Sequence, residues 1–307
     1  MNTAVKITAF AAALAATFGT AYGAGHGIDP LTDKAETTAH AAHGDKHGDK
    51  DAHGESAGHD AHPAGGLQIS EAGYTLDLRT ARLAAGQPQT LRFAITGHDG
   101  RPVTAYREEH GKELHLILAS RDLATYRHLH PVRDADGTWS TPVDLPRAGD
   151  YRVLADFTPA AKDARDLTLG ADLAVSGPYE PSAPHTPSRT ATVDDYTVTL
   201  DGALRAGEPG TLRLTVARDG RPVTDLEPYL GAYGHLVALR SGDLGYLHVH
   251  PGGGPGDAAT GSGPEISFTA TAPSAGTYRL FLDFQHGGTV RTAAFTVEAA
   301  PGAGHGG

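Results

Sequence analysis

The sequence predicts an all-β protein built from two tandem immunoglobulin-like β-sandwich domains, preceded by a signal peptide and a disordered His-rich arm. Three observations carry this expectation. Apolar, strand-like runs of five to seven residues alternate with Gly/Pro/Asp turns, glycine (40) and proline (20) are abundant, and one domain-sized unit occurs twice.

Residues 1–23 read as a signal peptide. Lys6 supplies a basic start, an Ala-rich apolar stretch runs from Ile7 to about Phe18, and Ala21-Tyr22-Gly23 offers a small-x-small cleavage site. Uncleaved, the stretch would serve as an N-terminal anchor, although it is short for a span of ~20 residues. Either case implies export, to the medium or to the extracytoplasmic cell envelope. No cysteine follows the leader, which excludes a lipoprotein anchor.

Residues 24–66 form a polar Ala/Gly/Asp/His arm with almost no large apolar side chain, expected to be disordered. It carries seven histidines, His26, His40, His43, His47, His53, His59 and His62, a composition that collects metal ions. Cleavage after Gly23 would leave Ala24-Gly25-His26 at the new terminus. Its amine, two backbone amides and the His26 imidazole would make a square-planar four-nitrogen site for Cu(II) or Ni(II).

The repeat divides the remainder. Tyr74 opens YTLDL and Tyr196 opens YTVTL; each copy then reaches DGRPVT, at Asp99–Thr104 and Asp219–Thr224. The copies close on YRVLADF from Tyr151 and YRLFLDF from Tyr278. We assign residues 67–177 to the first sandwich, 178–189 to a proline-bearing linker, 190–299 to the second sandwich and 300–307 to a tail.

Each copy places three histidines at one spacing: His115, His128 and His130 in the first, His235, His248 and His250 in the second. A hairpin turning around Arg121–Ala124 would set His115 opposite His130, with His128 on the same face. Opposed residues have Cβ atoms about 5 Å apart, so three imidazoles could meet on one ion. The same construction groups the second set. Asp156 and Asp283, charged residues inside apolar strands, could complete each site. His110 enriches the first copy alone, because Leu230 takes its place in the second.

Composition narrows the chemistry. There is no cysteine, and Met1 is the one methionine, which excludes disulfides, iron–sulfur clusters, zinc–thiolate sites and blue copper. Nitrogen and oxygen donors suit Cu(II) or Zn(II). The net charge of −11 and the absence of a basic run argue against nucleic acid and for divalent cations as partners, and no small-molecule substrate is inferred.

The stretch YREEHGKELHLILASRDLATYRHLHP resembles a signature of YtkA-like and related heavy-metal-associated secreted domains, through His110, His115, Asp122, Leu123, His128, His130 and Pro131. PYLGAYGHLVALRSGDLGYLHVHP, from Pro228, resembles a companion signature. The resemblance covers most of both domains. It implies an exported, metal-associated immunoglobulin-like protein, broadly similar to CopC-like copper proteins.

Three functions compete. The leading expectation is a non-enzymatic protein that sequesters, buffers or delivers Cu(II) or Zn(II), with a membrane metal transporter as its recipient. The alternative is a structural or interaction module of the cell envelope with incidental histidines. Last comes a metal-dependent hydrolase or oxidase, since three histidines with an open fourth position can activate water.

Overall fold

A computed structural model describes residues 64–247, 249–253 and 260–302. The expected leader, nearly all of the arm with His26, and His248 lie outside the described residues, and of His250 only the backbone is described. The described chain is all strand and turn, arranged as two successive sandwiches.

In the first sandwich, one sheet orders its strands Ser70–Glu71, Tyr74–Leu78, Gln89–Thr96, Thr138–Val143 and Val132–Arg133. The facing sheet runs Arg82–Ala84, Leu167–Ser176, Gly149–Pro159, His115–Ser120 and Tyr126–Leu129, with Tyr106–Arg107 added beside Gly149–Pro159. The second sandwich repeats the plan. Thr190–Val193, Tyr196–Asp201, Pro209–Arg218, Glu265–Thr271 and Val249–Pro251 form one sheet, with Arg221–Pro222 beside Pro209–Arg218. Leu204–Arg205, Thr289–Ala300, Gly276–His286, Gly234–Arg240 and Tyr246–Leu247 form the other.

Period-2 alternation explains where the side chains go. Along His115–Ser120, Leu116 and Leu118 point into the core of their own sandwich, together with Leu91, Phe93, Trp139 and Tyr151. The intervening Ile117 and Ala119 point the other way, into a separate apolar cluster. The second copy does the same: Leu236, Ala238 and Leu280 fill its own core, while Val237, Leu239 and Phe281 join the separate cluster.

That cluster lies between the sandwiches. Ile117, Ala119, Leu123, Tyr126 and Leu154 of the first meet Val237, Leu239, Leu244, Tyr246 and Phe281 of the second. Tyr126 stacks flat on Phe281, ring centres 4.0 Å apart and planes 4° from parallel. Two sheets that each bury both faces read as near-continuous apolar strands, which is what HLILAS and HLVALR are.

The chain just before the first sandwich is tied into this contact. Gly65 exchanges backbone hydrogen bonds with Tyr246, at 3.0 and 2.9 Å, and the Gly66 amide donates to the Thr168 carbonyl. Gly66 has φ +73°, and a Cβ there would come within 2.3 Å of the Leu154 side chain, so both the backbone angle and the space favour glycine. These two residues fall at the end of the segment read as the arm.

Candidate metal centre

The parity that sends Ile117 and Ala119 toward the second sandwich also sends His115, and the parity of Tyr126 sends His128. The hairpin ladder pairs Leu116 with Leu129 and Ile117 with His128. One step further along the same register lie His115 and His130. The three side chains converge: a ligand atom of each lies within 4.8 Å of the others.

Hydrogen bonding fixes where the protons sit. His115 Nε2 is 3.1 Å from the Glu109 carbonyl oxygen, which can only accept, so this nitrogen carries the ring proton. His128 Nδ1 is 2.9 Å from an Asp283 carboxylate oxygen and donates to it. With both rings neutral, each has one N–H, and these two bonds use them. The remaining nitrogens, His115 Nδ1 and His128 Nε2, face each other at 3.1 Å with lone pairs and no proton between them. His130 adds a buried Nε2 that has no hydrogen-bond partner among the described residues. Burial, reinforced by His128, lowers His115 to about 4 and His130 to about 3, so both stay neutral near pH 7.

The ring spacings fit a shared ion. With about 2.0–2.1 Å from metal to nitrogen, two imidazoles at a tetrahedral angle have ring centres about 5.2 Å apart, and at a right angle about 4.5 Å. The centres of His115–His128, His115–His130 and His128–His130 are 5.3, 5.2 and 4.8 Å apart.

The local fold that presents these rings is duplicated. Glu109 and Lys112 close a two-residue turn over His110 (φ 51°) and Gly111 (φ 71°); Tyr229 and Ala232 close the same turn over Leu230 (φ 52°) and Gly231 (φ 73°). In each copy the carbonyl that opens the turn accepts the ring proton of the histidine six residues on. His235 Nε2 donates to the Tyr229 carbonyl at 2.8 Å, as His115 does to Glu109. Burial lowers His235 to about 4.

The structure departs from the sequence expectation in three places. The second hairpin pairs Ala238 with Leu247 and Leu239 with Tyr246, then the chain leaves the sheet. His250 pairs instead with Thr269 of the opposite sheet, so the expected opposition of His235 and His250 is not formed. His235 faces the first copy's cluster, its ring 6.1 Å from His128 and 6.3 Å from His115. Asp283, expected to complete the second site, reaches across to His128 while Thr292 donates to its other oxygen. Asp156, expected to complete the first, accepts from Thr168 at 2.7 Å and from Tyr246 of the second sandwich at 3.2 Å. The two aspartates are register partners of His115 and His235 in their own sheets, yet each binds a side chain of the other sandwich.

His110 lies at the exposed rim, its ring 5.2 Å from His235 and 6.2 Å from His115. Sequence reasoning missed the Glu109 and Tyr229 carbonyls. Their signal is the HG and LG pairs five and four residues ahead of His115 and His235, a turn pattern with glycine at the second position.

Comparison with known proteins gives a family. Residues 69–169 and 191–301 match the domain of unknown function DUF8832. The chain belongs to this family, and carries its domain twice. No curated protein sequence matches the chain. Among solved structures it is similar to the Escherichia coli adhesin FdeC, with 17% identity over 76% of this chain and 65% of that one, at a TM-score of 0.23. InvD of Yersinia pseudotuberculosis is 13% identical over 76% of this chain and 59% of that one, TM-score 0.22. Domains 5–6 of the S-layer protein SbsC are 12% identical over 74% and 96%, TM-score 0.22. Likeness of this degree carries nothing about function to the chain.

Proposed function

We propose that the protein binds one divalent transition-metal ion, Cu(II) or Zn(II), on His115, His128 and His130, and that it sequesters, buffers or delivers that ion without catalysing a reaction. The observation that supports this is the proton count. The Glu109 carbonyl and the Asp283 carboxylate accept hydrogen bonds from the N–H groups of neutral His115 and His128, which leaves two lone pairs facing each other at 3.1 Å beside an unpartnered His130 nitrogen. Lone pairs so arranged repel unless a cation lies among them. Burial makes His115 and His130 resist taking a proton, so a metal ion is the better cation there. Asp283 then plays the part of a carboxylate that orients a ligating histidine and raises its basicity.

The motif resemblance to YtkA-like and CopC-like domains belongs to this reading, as do export through residues 1–23 and a membrane transporter as recipient. Titration of the full chain with Zn(II) and with Cu(II) tests it. His115→Ala combined with His128→Ala should remove one tight equivalent while the arm's weaker binding stays; an unchanged tight equivalent sinks the site.

A second reading, a structural or interaction module of the envelope, has its own observation. The apolar cluster, the stacked Tyr126–Phe281 pair and the His128–Asp283 tie join the two sandwiches without any ion. On that reading the same double variant would loosen the contact between domains and change no metal equivalent.

A further inference from the structure

We propose that His110 of the first sandwich and His235 of the second form another divalent-cation site, bridging the two domains beside the first; this rests on the metal reading of the trio. The two rings are perpendicular, at 85°, with centres 5.2 Å apart, the separation that a tetrahedral ion shared by two imidazoles requires. The proton of His235 is committed at Nε2 to the Tyr229 carbonyl, which leaves Nδ1 as a bare donor atom. His110 stands at the solvent-exposed rim, held there by a turn that has φ 51° at this residue.

One tetrahedral ion, with four positions, cannot serve all five histidines. His235 is 6.1 and 6.3 Å from His128 and His115, and His110 is 6.2 Å from His115, all beyond the tetrahedral spacing of about 5.2 Å. The five rings therefore divide into a closed trio and an open pair. Two imidazoles with solvent on the remaining positions suit a borderline ion such as Cu(II) or Zn(II), not an oxygen-seeking ion such as Ca(II). The pair should bind more weakly than the trio, having fewer donors and meeting the charge of the first ion.

Cu(II) titration of the full chain, followed by electron paramagnetic resonance, tests the pair. Beyond the ions held by the arm, wild type should take up a tight equivalent and then a weaker one, at least tenfold apart, and filling the weaker one should produce spin–spin coupling between neighbouring copper ions, which the arm's copper does not give. His110→Ala, a rim substitution that should leave folding intact, should abolish the coupling and the weaker equivalent while keeping the tight one. His235→Gln should do the same, with circular dichroism confirming its fold. If coupling is absent from wild type, or survives in His110→Ala, the pair is not a site and the trio stands. If wild type has no tight equivalent that depends on His128, the trio fails and the pair with it.

Discussion

At the scale of single residues, the candidate centre depends on which atoms hold protons. Asp283 is the clearest handle, because it touches His128 alone among the trio and comes from the other sandwich. Asp283→Asn keeps the shape but removes the charge, and should weaken the tight ion by about 10–100-fold, read by competition titration. Acid gives a second handle. His115 and His130 sit at about 4 and about 3 in the fold, whereas an unfolded histidine titrates near 6.5. Below pH 6.5 the unfolded chain takes up protons that the folded one refuses, so the ion-free protein should lose stability as pH falls from 6.5 to about 4. Melting temperatures across that window should fall, and fall less in His130→Gln; a flat profile would contradict the buried, neutral rings. The trio itself was legible in the sequence, because an HxH pair and a histidine 13 residues earlier define a hairpin face. The partner of Asp283 was not, since residues 155 positions apart met across an interface that no local pattern reveals.

At the scale of elements, the two copies show which local choices the sequence dictates. The turn over His110-Gly111 recurs over Leu230-Gly231 with nearly the same angles, although one first residue is polar and the other bulky and apolar. The constraint is the glycine. A Cβ at Gly111 or Gly231 would meet nothing within 4 Å, so Gly111→Ala and Gly231→Ala should each cost only the left-handed penalty, about 1–2 kcal/mol, in urea denaturation. Their effects on metal should differ. Gly111→Ala disturbs the Glu109 carbonyl that sets His115, so it should weaken the tight ion, while Gly231→Ala should leave it unchanged; equal effects would detach the turn from the site. The first hairpin's register followed from its centre at Arg121–Ala124. The second kept that register as far as Leu247 and then left it, because Val249–Pro251 finds its backbone partners at Phe268–Ala270 of the other sheet. Two ladders compete for the same amides there, and side-chain spacing does not say which one wins.

At the scale of the whole described molecule, the feature that positions the centre is the apolar contact between the sandwiches. Phe281 stacks on Tyr126 in its middle and lies two residues before Asp283 on the same strand face. Phe281→Ala should cost about 3–5 kcal/mol and draw Asp283 away from His128, so calorimetry and metal affinity should both register it. A loss of stability with undiminished affinity would mean that the trio does not depend on the second sandwich. The signal for this contact was present in the sequence. The runs HLILAS, YRVLADF, HLVALR and YRLFLDF are apolar at nearly every position, more than one sandwich core can absorb. An alternating strand has one dry face; these have two, and the second face carries Asp156 and Asp283 as well as His115 and His235. The central claim is that this second face holds an ion. Anomalous X-ray scattering from crystals of the full chain soaked in Zn(II) tests it most directly. The account predicts a zinc peak about 2.0–2.1 Å from nitrogens of His115, His128 and His130 together. Crystals with zinc bound elsewhere, and His115 and His128 still 3.1 Å apart with no peak between them, would contradict it.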